Sequence, residues 1–202
     1  MALHDLSVDE LLTALGDKTP TPGGGAVAPL VAGLATALGR MVLAYSVDKP
    51  SLSEHRAGNE DAMQRLHDLQ QQAMQCAEDD ATAYAALNAL MKLSKDDPQR
   101  AAEWTQAVEG AMDPPRRTLE LCGTLIDTID GLAATTNRWL ASDLAVAAVL
   151  LVAAARAAAW NVRANLTQLD DAARVDALRS EIEAQIDAVQ ARADDLERRL
   201  AS

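Results

Sequence analysis

The stretch Thr19-Pro20-Thr21-Pro22-Gly23-Gly24-Gly25-Ala26-Val27-Ala28-Pro29 has the residue types of a ligand-facing loop. Pro20 and Pro22 stiffen the approach, because each fixes its own φ and pushes the residue before it toward extended backbone. Three consecutive glycines remove every Cβ, so the chain can take positive φ and a ligand can lie against bare amides. The apolar helical run that follows would set those amides at a helix N-terminus, where an anion or an electron-rich heterocycle is favoured. A plain interhelical turn would not require three glycines, whose ordering costs conformational entropy. The loop lacks the Gly-Lys-Ser/Thr ending of a P-loop.

The remaining candidates are carboxylates, two asparagines and a lysine. Asp80 lies in a helical pattern between Ala77 and Tyr84. It fits either a solvated acidic run with Glu78 and Asp79 or a working carboxylate on an apolar face. Asp143 opens the most apolar helical run and fits either an N-terminal cap or a functional acid. Asp143 and Asn161 are eighteen residues apart, five full helical turns, and so share a face. Lys49 closes a helical run, where a cation is favourable, and is equally a substrate contact. His4, His55 and His67 are scattered on polar stretches without metal-ligand spacing, and no serine sits in a nucleophile elbow. No metal site is expected.

The elements that must position these residues are helical. The 202 residues are 49% hydrophobic but only 2% aromatic, with no Phe, so the core must be built from Ala, Leu, Val and Met. Ala favours helix and lets helices approach closely, which predicts an all-α, up-and-down bundle in a single domain, 1–202. A formal charge of −12 argues against nucleic acid or an acidic membrane as partner. Cys76 and Cys122 form no disulfide pattern and fit a reducing compartment, and the N-terminus has no signal-peptide pattern, so a cytoplasmic protein is expected. The longest unbroken apolar stretch, Leu144 to Ala155, is short for a bilayer and predicts a buried helix.

Ser7-Val8-Asp9-Glu10 reads as a capping box opening a short helix that Gly16 stops. A second helix is predicted from about Ala26 to about Val47, with Pro29 in its first turn because deeper it would delete a backbone hydrogen bond. A long third helix is expected from about Ser53 to Leu93. A fourth, capped by Asp97 with Pro98 in its first turn, should be interrupted or kinked at Pro114-Pro115 on its way to Leu132. Asn137 to Asn165 is the most apolar run and is expected to be the buried centre of the bundle. About Asp170 to Leu200 reads as a charged helix with a narrow apolar seam.

Taken together, the segments Pro20 to Ala28, Met41-Val42, Lys49, Asp79-Asp80-Ala81-Thr82-Ala83-Tyr84, Ser142-Asp143 and Ala158 to Leu166 resemble the cyclodeaminase/cyclohydrolase family. That family comprises the C-terminal domain of formiminotransferase-cyclodeaminase and the free-standing methenyltetrahydrofolate cyclohydrolases. The resemblance runs in order over nearly the whole chain, and the proline-glycine loop is its most specific part. It implies a helical homodimer with a folate site near that loop and the dimer interface, and no cofactor besides the folate substrate. Its implied catalytic residues are Asp143, Asp80 and Lys49. Its implied substrate-binding residues are Pro22, Gly23, Gly24, Gly25, Ala26, Asn161 and Asn165. The length of the chain suits hydrolysis of 5,10-methenyltetrahydrofolate. Formiminotetrahydrofolate cyclodeamination and non-catalytic folate binding are the alternatives.

Overall fold

The structure is a computed structural model that describes residues 3–201. Six α-helices make up the fold: α1 (Val8–Gly16), α2 (Gly24–Ala44), α3 (Arg56–Met91), α4 (Pro98–Leu132), α5 (Ala141–Leu166) and α6 (Ala172–Leu200). Short 3₁₀ turns at Leu3–Asp5, Pro50–His55 and Arg138–Leu140 lead into α1, α3 and α5. The expected all-α bundle is therefore what the chain forms. Several ends are set by side chains the sequence advertises. Ser7 and Glu10 close a reciprocal capping box on α1. The Asp97 carboxylate accepts from the Gln99 and Arg100 amides at the start of α4, and Asp171 accepts from Arg174 at the start of α6.

Helices α2, α3, α4 and α5 close a four-helix ring in which each packs on the next and α5 returns to α2; α6 lies along α4 and α5. Successive helices run in opposite directions, as short connections require. One end of the ring is tied by two part-buried hydrogen bonds. The Asn59 side chain donates to the Thr135 carbonyl at 2.9 Å, and the Asn137 amide donates to the Ser46 hydroxyl at 2.9 Å. The core is aliphatic, with Leu43, Leu66, Leu87, Met112, Leu125, Ile129, Leu144 and Leu151 fully enclosed. Alanines 147, 148, 154, 155, 158 and 159 let α5 approach its neighbours closely. Gly39 serves the same end, since a Cβ there would stand 2.4 Å from Ile129 Cδ1.

Four expectations are corrected. First, α2 begins at Gly24, so two of the three glycines are helical and Pro29 sits in the second turn. The missing proline N–H leaves the Gly25 carbonyl without its helical partner. Second, α4 runs unbroken through Pro114-Pro115. The prolines leave the Gly110 and Ala111 carbonyls without helical N–H partners. Packing of buried Met112, Pro114, Pro115 and Leu119 holds the helix, and the Thr118 hydroxyl adds a bond to the Pro114 carbonyl at 2.9 Å. Third, α5 is not buried all round. It packs on α2, α4 and α6 but leaves Val146, Val149 and Trp160 at least half exposed. Fourth, α2 and the stretch Arg138–Leu166 are long and apolar enough to cross a membrane by length and composition. Both are bundle helices; their neighbours bury 56% of the apolar stretch in α2 but only 33% of that in Arg138–Leu166.

Leu151→Ala, at the closed centre of α5, should lower unfolding free energy by about 2–5 kcal/mol, because the helices around it cannot collapse into the space. A urea titration followed by circular dichroism would measure it, with the denaturant slope unchanged.

Candidate active site

Gly23 is the N-cap of α2 in extended backbone and offers no side-chain cap. The Ala26 and Val27 amides both bond to the Gly23 carbonyl at 3.1 Å, which leaves the Gly24 and Gly25 N–H groups without a partner. None of the glycines among the described residues has positive φ, so the triplet is not a device for left-handed backbone. Its physical reason is close approach. A Cβ at Gly25 would stand 2.1 Å from both carboxyl oxygens of Asp80. Any side chain there would expel the carboxyl from the start of α2.

Asp80 projects from the last third of α3 onto this spot. Around the two groups lies a cavity of ≈ 280 Å³, lined also by Pro20, Thr21, Tyr84, Asn161 and Asn165. Tyr84 follows Asp80 by one turn and so shares its face. Asn161 and Asn165 are one turn apart on α5. The Asn161 side-chain amide donates to the Ala157 carbonyl and that of Asn165 to the Asn161 carbonyl, each at 3.1 Å. Each NH₂ group thereby commits one of its two hydrogens to the helix, and Asn161 Oδ1 faces α2, 3.5 Å from where a Gly24 Cβ would be.

Adjacent acids are driven apart in character. Asp79 is partly desolvated, but bonds from Gln75 at 2.8 Å and Arg117 at 2.7 Å outweigh that and hold its carboxyl below the usual range. Asp80 has no such donors, and burial pushes its pKa up to about 6. Neighbouring carboxyls with divergent environments are a common basis for separating structural from proton-transfer roles. A carboxyl poised near neutrality, beside two open amide donors and two asparagine acceptors, can take a proton from a water placed over it.

The sequence candidates fall into two groups. Gly23, Gly24, Gly25, Asp80, Asn161 and Asn165 line one cavity. Pro22 flanks it, and Ala26 is fully enclosed in the core, where its methyl cannot meet a ligand. Asp143 and Lys49 stand at the opposite end of the bundle. Asp143 is in the first turn of α5 without capping it, and Lys49 precedes the 3₁₀ turn after α2. Sharing a face with Asn161 does not bring Asp143 near it, since eighteen residues of helix span about 27 Å. Tyr84 and Thr21 are site residues that the sequence quotes only as neighbours; the i, i+4 spacing of Asp80 and Tyr84 was the signal. A larger cleft, ≈ 560 Å³ between the start of α3 and the end of α4, is lined by residues that include Asp61, Arg65 and Asp127. Its buried polar side chain, Asn59, is already bonded to Thr135, so it is a weaker candidate.

The sequence profile of the formiminotransferase-cyclodeaminase family matches residues 7–184. The chain belongs to that family. A methenyltetrahydrofolate cyclohydrolase from Methylorubrum extorquens is 29% identical over 181 residues, which cover 88% of this chain and 87% of that protein. A formimidoyltransferase-cyclodeaminase from Gallus gallus is 30% identical over 162 residues, 78% of this chain but only 30% of that longer protein. The crystal structure of a formiminotetrahydrofolate cyclodeaminase from Thermotoga maritima has the same fold. The TM-score is 0.82 at 25% identity, covering 98% of this chain and 95% of that one.

Gly25→Ala should separate site from fold. Alanine improves the first turn of α2, so the melting temperature should hold or rise. The displaced Asp80 should cut turnover by about 10²-fold or more, the scale of a lost general base. Thermal melts and initial rates on the same preparation would check both.

Proposed function

We propose that this chain hydrolyses 5,10-methenyltetrahydrofolate to 10-formyltetrahydrofolate. The observation that carries the reading is the Asp80 carboxyl, raised to about 6 and seated against the bare Cα of Gly25 at the open start of α2. Support comes from the full-length likeness to the Methylorubrum cyclohydrolase. The substrate's bridging carbon is an amidinium between N5 and N10, already electrophilic and cationic. A site rich in acceptors, from Asp80, Asn161 and Asn165, suits a cation and a pterin edge that donates hydrogen bonds. Asp80 takes a proton from water as its oxygen bonds to the bridging carbon. The tetrahedral adduct then collapses: the carbon–N5 bond breaks, the Asp80 proton passes to N5, and the hydroxyl proton leaves to solvent. The formyl group remains on N10, and one proton is released in all. The Gly24 and Gly25 amides face the same cavity and can hold a folate carbonyl or the developing oxygen charge.

Asp143 and Lys49 enter this reading through a second copy. The α5 stripe Val146, Val149, Ala153 and Trp160, with Leu34 of α2, is a largely apolar surface open to solvent, broken only by exposed Arg156 on the same face. An antiparallel two-fold pairing centred near the small Ala153 would bury it, as a self-complementary interface requires. By helical register that pairing sets Asp143 of one copy opposite residues 160–164 of the other. Each glycine-loop cavity would then gain Asp143, and with it the Lys49 end, from its partner. Lys49 would hold a glutamate carboxylate of the substrate or polarise the leaving nitrogen.

Cyclodeamination is the second reading, favoured by the likeness to the Thermotoga protein. There N10 attacks the formimino carbon of 5-formiminotetrahydrofolate and ammonia leaves. Loss of the methenyl chromophore faster than the buffer blank supports hydrolysis. Its appearance from the formimino substrate with ammonia release supports the alternative.

The base must be ionised to act, so kcat/KM should rise with pH and level off above about 6, following the Asp80 carboxyl. Asp80→Asn should flatten that limb as well as lower the rate. An unchanged limb in the variant would remove Asp80 from the mechanism. Separately, mixing inactive Asp80→Asn and Asp143→Asn proteins should restore activity. One intact composite site in half of the randomly exchanged dimers gives about a quarter of the wild-type rate.

A further inference from the structure

Helix α1 is the part of the chain that its own bundle does not explain. Its capping box is complete, and its apolar residues, Val8, Leu11, Leu12 and Leu15, fall at helical spacing. Yet it buries none of its residues, and Val8 and Leu12 are 75% and 62% exposed. Nine residues are too few for a stable helix in water unless an apolar face packs on something. The segment before it is held to α3, where the Leu3 amide donates to Glu78 and His4 lies 3.4 Å from the same carboxylate. The loop after it leads into the start of α2. So α1 is fixed beside the glycine-loop end of its chain with Leu11, Ala14 and Leu15 half-buried, while Val8 and Leu12 face outward.

At the other end of the bundle stands a surface of matching character. Tyr45 at the end of α2 and Trp139 before α5 are 64% and 76% exposed. The Asn137–Ser46 hydrogen bond joins the two segments that carry them. Arg138 stacks over the Trp139 ring at 5.2 Å, and Lys49 follows Tyr45 by one turn. Helix α1 brings acids to such a surface, with exposed Asp9 and Glu10 in its first turn and Asp17 just beyond it. The two surfaces are complementary, apolar to aromatic, with Arg138 and Lys49 to meet the acids of α1 and the neighbouring Asp48 carboxylate already paired with Arg56 at 3.2 Å. They lie at opposite ends of one chain and cannot meet within it.

We propose that α1 of each copy docks on the Tyr45–Trp139 end of the second copy. The inference rests on the antiparallel pairing above, which sets the loop end of one chain against that end of the other. In the pair, α1 forms an outer wall of the composite cavity and closes the solvent side of the gap between its own glycine loop and the partner's Lys49.

The test is an engineered thiol pair in the full chain. Native Cys76 and Cys122 are buried and do not compete. Under mild air oxidation, Leu12→Cys/Trp139→Cys should give a covalent dimer on a non-reducing gel. Each single variant, and the control pair Leu12→Cys/Ala101→Cys with its second site exposed on α4, should stay at the monomer position. Light scattering on the unoxidised protein separates the two ideas. A dimer in solution without the crosslink, or an internal crosslink running as a fast monomer, overturns α1 docking and leaves the pairing intact. A monomer in solution overturns both.

Discussion

The seat of Asp80 against Gly25 is the contact on which the rest depends. A carboxyl is brought to van der Waals distance of a helix backbone, and only a residue without a Cβ permits it. That single approach explains the glycine, raises the acid through desolvation and places it beside two unpaired amides. The opposed fate of Asp79, clamped by Gln75 and Arg117, comes from its position 100° around the same helix, on the side facing α4. One turn of α3 thus supplies a clamped anion and a carboxyl of raised pKa from consecutive residues.

The bundle is long relative to its site, and this shapes the chemistry available. Four antiparallel helices put the glycine loop, Asp80 and Asn161 at one end, with Lys49 and Asp143 at the other. A rigid α5 keeps Asn161 and Asp143 about 27 Å apart along the axis whatever the loops do. A mechanism using both ends needs a second copy, and the open stripe on α5 offers the surface for it. That stripe is also the part of the helix's membrane-like composition that its own chain does not cover.

Much of this was legible in the sequence, for identifiable reasons. The helical fold, the capping box at Ser7, the Asp97 cap and the boundaries near Gly16, Leu132 and Leu200 rest on local spacing and capping chemistry, which the chain carries residue by residue. The glycine loop was legible as a site because three adjacent glycines are costly without a use. Its mode was not. Positive φ was the expectation, and the observed reason is a neighbour from α3 fifty-five residues away. Pro29 and Pro114-Pro115 were misplaced or overread for the same kind of reason. Tertiary packing around buried Met112, Pro114, Pro115 and Leu119 outweighs the local penalty of a proline in a helix.

By itself the sequence determined the helices, their apolar faces, the family and the short roster of polar residues worth watching. All of these follow from side-chain type at fixed spacing along one chain. Only the tertiary structure decided which of those residues meet. It joined Asp80, Gly25, Asn161 and Asn165, and it sent Lys49 and Asp143 to the far end. It turned Ala26 into the core and left Val8 and Leu12 of α1 open to solvent. Shared helical phase states which way a side chain points but says nothing of how far along the axis it stands, and that distance is fixed only when the helices are laid against one another.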